Sequence, residues 1–316
     1  MKIKEIYESA IKWGMELDPR GLEEVKKELE RAKKEYEKLK AEEKKDFDTA
    51  SLTNPYADSR ILYGDPEKEV KRILLGIDME VGEVLLADRL NERGRKIDLI
   101  VSHHPEGRAM ARLYDVMDMQ SGILLKYGVP INIAEGIMEE RIKEVERRLM
   151  PVNHTRAVDA ARLLDIPIMC LHTPSDNAVT DYLQNLFDVR APYHVSDILD
   201  ALKEIPEYSA AASETTGPKV VCGSKKRKAG KVFVDMTGGT GGSKKAFEKL
   251  SQAGVGTVVG MHISEDHRKE AEKNLMNVVI AGHISSDSLG MNLLLDRVLT
   301  DVEVIGTSGF TRIIRT

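Results

Sequence analysis

Cysteine is nearly absent from this 316-residue chain, which has only Cys170 and Cys222. Two such distant thiols make neither a disulfide framework nor a cysteine metal cluster. Aromatic residues are also scarce, at 5%, with a single tryptophan. Aliphatic side chains must therefore build most of the core. No apolar run approaches the roughly 20 residues that a membrane-spanning helix needs. Excess positive charge is missing too: the formal net charge is −5 and the pI about 6.0. That argues against a general nucleic-acid binder, which would present a basic surface. The first residues, Met1-Lys-Ile-Lys-Glu-Ile-Tyr-Glu, are amphipathic and acidic rather than signal-like, so a cytoplasmic location is expected.

What is abundant is charge, at 31%, much of it Lys and Glu. Such a surface belongs to a soluble globular protein and is compatible with a thermophilic source. Residues 1–18 have helical apolar spacing. In residues 20–47, Leu22, Val25, Leu29, Ala32, Tyr36 and Leu39 recur every three or four positions and form one stripe on a charged helix. A loop is expected from Asp48 to Asp65. After it, short aliphatic runs alternate with helical patterns. Strands are expected at 72–77, 98–102, 129–134, 166–171, 219–222, 231–235, 256–260, 277–281 and 302–305. Helices are expected at 82–93, 106–127, 136–150, 153–164, 177–188, 195–203, 243–253, 265–274 and 285–298, and a loop at 205–217. The strands at 219–222 and 231–235 read as joined by the basic turn Lys225-Lys-Arg-Lys228. This alternation predicts an α/β protein.

Histidine follows an apolar strand at three places: His103-His104, His172 and His283. In parallel α/β sheets, ligands gather at the carboxyl ends of strands. His172 and Asp176, and His283 and Asp287, share a His-x₃-Asp spacing. Histidines with carboxylates form a mixed nitrogen and oxygen donor set, suited to zinc, iron, manganese or nickel rather than calcium. Spacing alone does not choose between His283/Asp287 and His262/Asp266, which repeats the pattern. Glu265 and His267 add groups able to transfer protons, and they equally fit a charged helix start. Asp78 ends a strand and suits either a supporting partner or a turn. Gly238-Gly-Thr-Gly-Gly242 lies between a strand and a helix and reads equally as an anion cradle or a close-packing loop.

Six segments in order, Gly64-Asp-Pro, Leu75-Gly-Ile-Asp78, Asp98-Leu-Ile-Val-Ser-His-His-Pro105, Leu171-His-Thr-Pro-Ser-Asp176, Gly238-Gly-Thr-Gly-Gly242 and Ala281-Gly-His-Ile-Ser-Ser-Asp287, resemble the NIF-three-like family. Its members are often described as GTP cyclohydrolase 1 type 2 homologues. The resemblance implies two similar α/β domains facing across a metal-binding cleft, assembled as a ring-shaped homohexamer. Here an N-terminal helical arm and linker at 1–63 would be added. The first domain would comprise 64–190 with 280–316, including an enlarged helical middle, and the second would be 191–279. A dinuclear centre of two divalent ions is implied, held by His103, His104, Asp176, His283 and Asp287, with Asp176 bridging. His172, His262, Glu265 and His267 are left for supporting or proton-transfer roles. The implied activity is metal-dependent hydrolysis of a small molecule, a purine nucleotide opened with formate release in the named homologues. The competing expectation is a metal-binding regulatory or metal-handling protein without turnover. Three departures bear on specificity: Asp287 where the family has Glu, Glu106-Gly-Arg108 after His-His-Pro, and Met261-His-Ile-Ser-Glu265 near the cleft.

Overall fold

Short aliphatic runs have two faces to bury, and here they pair into two sheets that sandwich helices. The computed structural model describes residues 1–315. The chain begins with helices α1 (Ile3–Glu16) and α2 (Leu22–Lys38) and a helical turn, α3 (Glu43–Asp46). Strands β1 (Arg60–Tyr63) and β2 (Arg72–Gly76), helix α4 (Val81–Glu92) and strand β3 (Leu99–Ser102) follow. Next come α5 (Gly107–Ala111), α6 (Leu113–Val116), α7 (Met119–Lys126), α8 (Ile131–Leu149) and α9 (Arg156–Leu163). Strand β4 (Ile168–Cys170) leads into α10 (Thr173–Arg190), then α11 (Val195–Lys203) and α12 (Pro206–Ser213). The second set is β5 (Lys219–Cys222), β6 (Lys231–Asp235), α13 (Ala246–Gln252), β7 (Val255–Gly260), α14 (Glu265–Lys273), β8 (Asn277–Ile280), α15 (His283–Val298) and β9 (Glu303–Thr307).

The first sheet has the order β1-β4-β3-β2-β9 and the second β5-β8-β7-β6. In both, an antiparallel edge strand flanks the last parallel strand of the unit, β4 or β8. Apart from the added edge strand β9, the two units therefore share one strand order, and α10 and α15 are their equivalent helices. Both lie between the sheets. Val179, Leu183 and Phe187 of α10 pack under the second sheet with Val232 and Val259. Met291, Leu294 and Leu295 of α15 pack on the first sheet with Ile73, Leu75 and Val101. Each helix thus leaves one sheet and covers the other, which ties the two units together.

Several elements differ from the sequence expectation. Arg60–Tyr63 is a strand, not loop, because it completes the edge beside β4. Residues 129–134 do not form a strand. Pro130 is extended, with φ −55° and ψ 137°, and starts α8, whose Ala134, Met138 and Val145 recur at helical spacing. The expected helix 106–127 is three short ones, with a change of direction at Arg112 (φ −113°). Residues 206–213 are helical rather than loop: proline opens the segment and its alanines favour helix. Strands β5 and β6 lie on opposite edges of the second sheet rather than side by side, and the basic loop between them is pinned to the start of α11 through Val195 and Ser196.

Two packing findings change the expected division of the chain. α1, the start of the expected helical arm, packs on the body. Ile3, Ile6 and Ala10 are buried in the core of the first sheet. Only Val25 of α2 is buried, so the exposed helical segment starts with α2. The helical middle does not belong to the first domain alone. Met119, Ile123, Leu124, Ala134 and Met138 cover the outer face of the second sheet, against Phe233 and Val258. α5 and α9 stay with the first sheet, α5 beside β1 and α9 through Ala157 and Ala161. No helix among the described residues is long and apolar enough to cross a membrane.

Candidate metal centre

The carboxyl ends of both sheets open onto one cleft of about 300 Å³. In the first sheet, Gly76, Ser102 and Cys170 stand in register, so the residues just beyond them emerge together. The chain bends at His103-His104, where the two amides still donate to Gly76 and Ile77 carbonyls. That bend points both imidazoles the same way, with ring centres 5.1 Å apart. His172 caps α10, and Asp176 lies one turn on. His283 opens α15, and Asp287 lies one turn on. Each i,i+4 pair therefore shares one face of its helix.

The two helices come together because Gly290 has no side chain. A Cβ there would lie 2.5 Å from the Ser175 carbonyl oxygen. Gly14 of α1 is similarly tight against Pro174. Gly282, with φ +119°, supplies the left-handed step from which α15 starts. These contacts set Asp176 and Asp287 side by side.

Asp287 is fully buried, and neither of its carboxylate oxygens has a hydrogen-bond partner. Its Oδ1 is 3.4 Å from His103 Nε2, and its Oδ2 is 3.5 Å from both His104 Nε2 and His283 Nε2. Asp176 Oδ1, also unpartnered, is 3.5 Å from His103 Nε2, and Asp176 Oδ2 is 3.6 Å from His172 Nε2. The donor atoms fall into three groups, each within 4.8 Å: His103, His104 and His172; His104, His283 and Asp287; His103, Asp176 and Asp287. Asp287, rather than Asp176, thus reaches the histidines of both units, because it alone lies beside His104 and His283. His172 sits among the proposed ligands, not behind them.

Burial and the neighbouring charges act in opposite directions on the groups of this site. Burial pushes the Asp176 carboxyl up to about 8 and the His103 imidazole down to about 4. Burial opposes the charge on Asp287 as well, but His103, His104 and His283 hold its carboxyl below the usual range. Burial also works against a charged His172, yet Asp176 and Asp58 raise it to about 9. Buried carboxylates with free oxygens and imidazole nitrogens aimed at them are a donor set that a divalent cation satisfies. The described residues therefore can hold a metal ion.

Two carboxylates orient the rings from behind. Asp78 Oδ1 is 2.7 Å from His104 Nδ1, which suits the supporting role weighed for it. Asp58 Oδ2 accepts from His172 Nδ1 at 2.8 Å and from Thr173 Oγ1 at 2.6 Å. Sequence reasoning missed Asp58. It falls in a segment read as loop and has no spacing relation to His172. A buried acidic residue next to an unrecognised edge strand was its only signal.

His262 lines the cleft, with its ring 4.9 Å from that of His283, and burial lowers its pKa. Glu265 and His267 do not line it. α14 starts after His262, so Glu265 points to solvent and pairs with Arg268. His267 is held between Ser264 Oγ and the Gly242 carbonyl. Asp266 pairs with Lys244, so His262 and Asp266 do not share a site. In the glycine run, Gln120 donates to the Gly238 and Thr240 carbonyls, and a Cβ on Gly238 would meet the Gln120 side chain at 2.6 Å. Close packing accounts for Gly238, while Gly239 and Gly241 face the cleft. Glu106 also lines the cleft.

No protein-family model matches the sequence, and no curated protein matches it. Among solved structures, the chain is similar to a NIF3 superfamily protein from Sphaerobacter thermophilus, with 27% identity and a TM-score of 0.70 over 80% of this chain and 91% of that one. Reduced HcgD from Methanocaldococcus jannaschii shares the fold, with 17% identity and a TM-score of 0.51 over 85% of this chain and 97% of the other. With two α/β units of like strand order, a histidine–aspartate cluster between them and this likeness, the chain has the fold of the NIF3 superfamily protein and resembles that family.

Proposed function

We propose that this protein is a dinuclear, divalent-metal-dependent hydrolase of a small molecule. The observation that carries the reading is Asp287: buried, without a hydrogen bond, and within 3.5 Å of three imidazole nitrogens. His103, His172 and Asp176 would hold one ion in the buried half of the site. His104 and His283 would hold a second in the open half, with one Asp287 oxygen directed to each. Bound ions of this kind lower the pKa of a water to about 7 and polarise a substrate oxygen.

The chain's own groups do the rest. Asp58 and Asp78 lie in hydrogen-bond contact with Nδ1 of His172 and His104, so that each Nε2 is turned toward the cluster. His262, whose pKa is lowered by burial, lines the cleft beside His283 and is the group placed to exchange a proton at the open side. Met110, Leu113, Met236 and Met261 give the cleft apolar walls that limit water. A nucleotide is the first substrate to test, because the sequence resembles the cyclohydrolase homologues. The site is built from one chain, and a homohexameric ring would be an addition to it.

Elemental analysis of protein purified without chelator, joined to turnover of a nucleotide panel, tests the reading. About two ions per chain and metal-dependent turnover are expected. Absence of bound metal would overturn the centre. The second reading, metal handling without turnover, draws support from His283, whose side chain is 41% exposed and leaves one ligand open to exchange. Full metal with no turnover, together with transfer of metal to a competing chelator within minutes, would favour it.

A further inference from the structure

We propose that His262 and His283 form an entry site, at which a divalent cation is first held on its way to the buried centre. The proposal rests on the metal-centre reading and concerns how the ions arrive. Five imidazoles form a row through the cleft: His172, His103, His104, His283 and His262. Their neighbouring ring centres are 4.9, 5.1, 5.2 and 4.9 Å apart. Exposure rises outward from buried His103, through half-buried His104 and His283, to exposed His262, which still lines the cleft. Two imidazoles on one tetrahedral ion, each bound through a nitrogen roughly 2.0–2.1 Å away, have ring centres about 5 Å apart. Each neighbouring pair therefore has the spacing of a shared ion, and a cation can pass inward by exchanging one imidazole at a time.

Strand register shows why the outer end of the row differs from the inner. Ser102 pairs with Gly76 at the end of β3, and Gly260 pairs with Asp235 at the end of β7. His104 and His262 each lie two residues further on, so they are counterparts in the two units. The counterpart of His103 is Met261, and that of Asp78, which braces His104, is Thr237. The first unit thus gathers His103, His104 and His172 into one donor group, while His262 belongs to none of the three groups. Its ring has no hydrogen bond among the described residues. Two imidazoles without a carboxylate of their own hold a cation weakly, which suits passage rather than residence. The buried carboxylates of Asp176 and Asp287 draw the ion inward. Once two ions are seated, His283 is engaged and their charge opposes a third, so the outer pair adds nothing to the final count.

Stopped-flow uptake of zinc by the metal-free full chain, followed with a chromogenic indicator and closed by elemental analysis, tests this. An entry site lowers a barrier without changing the end states. His262→Ala should therefore slow uptake and chelator-driven release alike, by about tenfold, and leave the final zinc content at that of the unaltered protein. His262→Cys, which restores a zinc ligand, should recover both rates. His267→Ala, outside the cleft, should not change them. No substrate is present, so proton exchange by His262 does not enter the readout. Unchanged rates in His262→Ala would overturn the proposal. So would a final content lower by one ion, which would make His262 a resident ligand. Failure of the unaltered protein to take up zinc would instead overturn the metal centre itself.

Discussion

Helices α10 and α15 begin alike and sit in different surroundings. Each follows the strand that pairs with its unit's antiparallel edge strand, and each presents histidine and, four residues on, aspartate. On α10 the pair is enclosed: the His172 side chain is 8% exposed and braced by Asp58. On α15, Asp287 is fully buried, but His283 is 41% exposed and has no carboxylate behind it. A third segment, His262 to Asp266, has the same spacing but no shared face, because its helix starts only at Glu265. Spacing alone therefore did not make the site. What made it was where each helix begins, and which sheet it then crosses to cover.

The difference can be broken most severely at Asp287. Asp287→Asn should reduce bound metal to near none, since this carboxylate faces histidines from both units. Asp176→Asn should remove metal from the buried half only, leaving about one ion per chain by elemental analysis. Equal loss in the two variants would show that both carboxylates bridge.

Gly290→Ala comes next. Its methyl group would meet the Ser175 backbone at 2.5 Å and force α10 and α15 apart. Metal affinity should fall markedly while the far-UV circular dichroism spectrum stays native. An unchanged affinity, by competition with a chromogenic chelator, would mean that the close crossing does not set the ligand distances.

Asp58→Asn sharpens the contrast between the enclosed and open halves. It leaves every proposed ligand in place but removes the negative charge, and one of the two acceptor oxygens, behind His172. Loss of such a partner lowers metal affinity about 10–100-fold. Only one of the two ions should respond, and the open half should keep its affinity. In the unaltered protein, dialysis against chelator should empty the site in two phases, the exposed His283 half first. Asp266→Asn is the smallest case: metal content should not change, because Asp266 faces Lys244 outside the cleft.

Much of this was legible in the residues. Aliphatic runs of four to six residues, each followed by a helical pattern, indicated α/β alternation, and His103, His104, His172 and His283 could be placed at strand ends. The motifs pointed to one shared site. Other features were not legible, for identifiable reasons. β1 is short and polar at its ends, and only pairing with β4 makes it a strand. Residues 129–134 have the composition of a strand, yet Pro130 and the apolar face of the second sheet make them the start of α8. Glu265 and His267 looked like chemistry because charge at a helix start and charge at a site use the same residues.

The sequence by itself determined the donors. Histidine and aspartate at i and i+4 of a helix share a face whatever surrounds them, and a bend after β3 lets two adjacent imidazoles point together. It also determined the aliphatic pattern that builds two sheets. Only the tertiary structure decided which carboxylate stands between the two sets of histidines. Gly290 lets α15 close on α10, and that approach, between residues 115 positions apart (175 and 290), places Asp287 rather than Asp176 at the centre. Asp58 became a partner of His172 by the same route, because an edge strand laid its segment beside β4. Local spacing fixes what a helix presents. Which other helix it meets depends on burial of faces far apart in the chain.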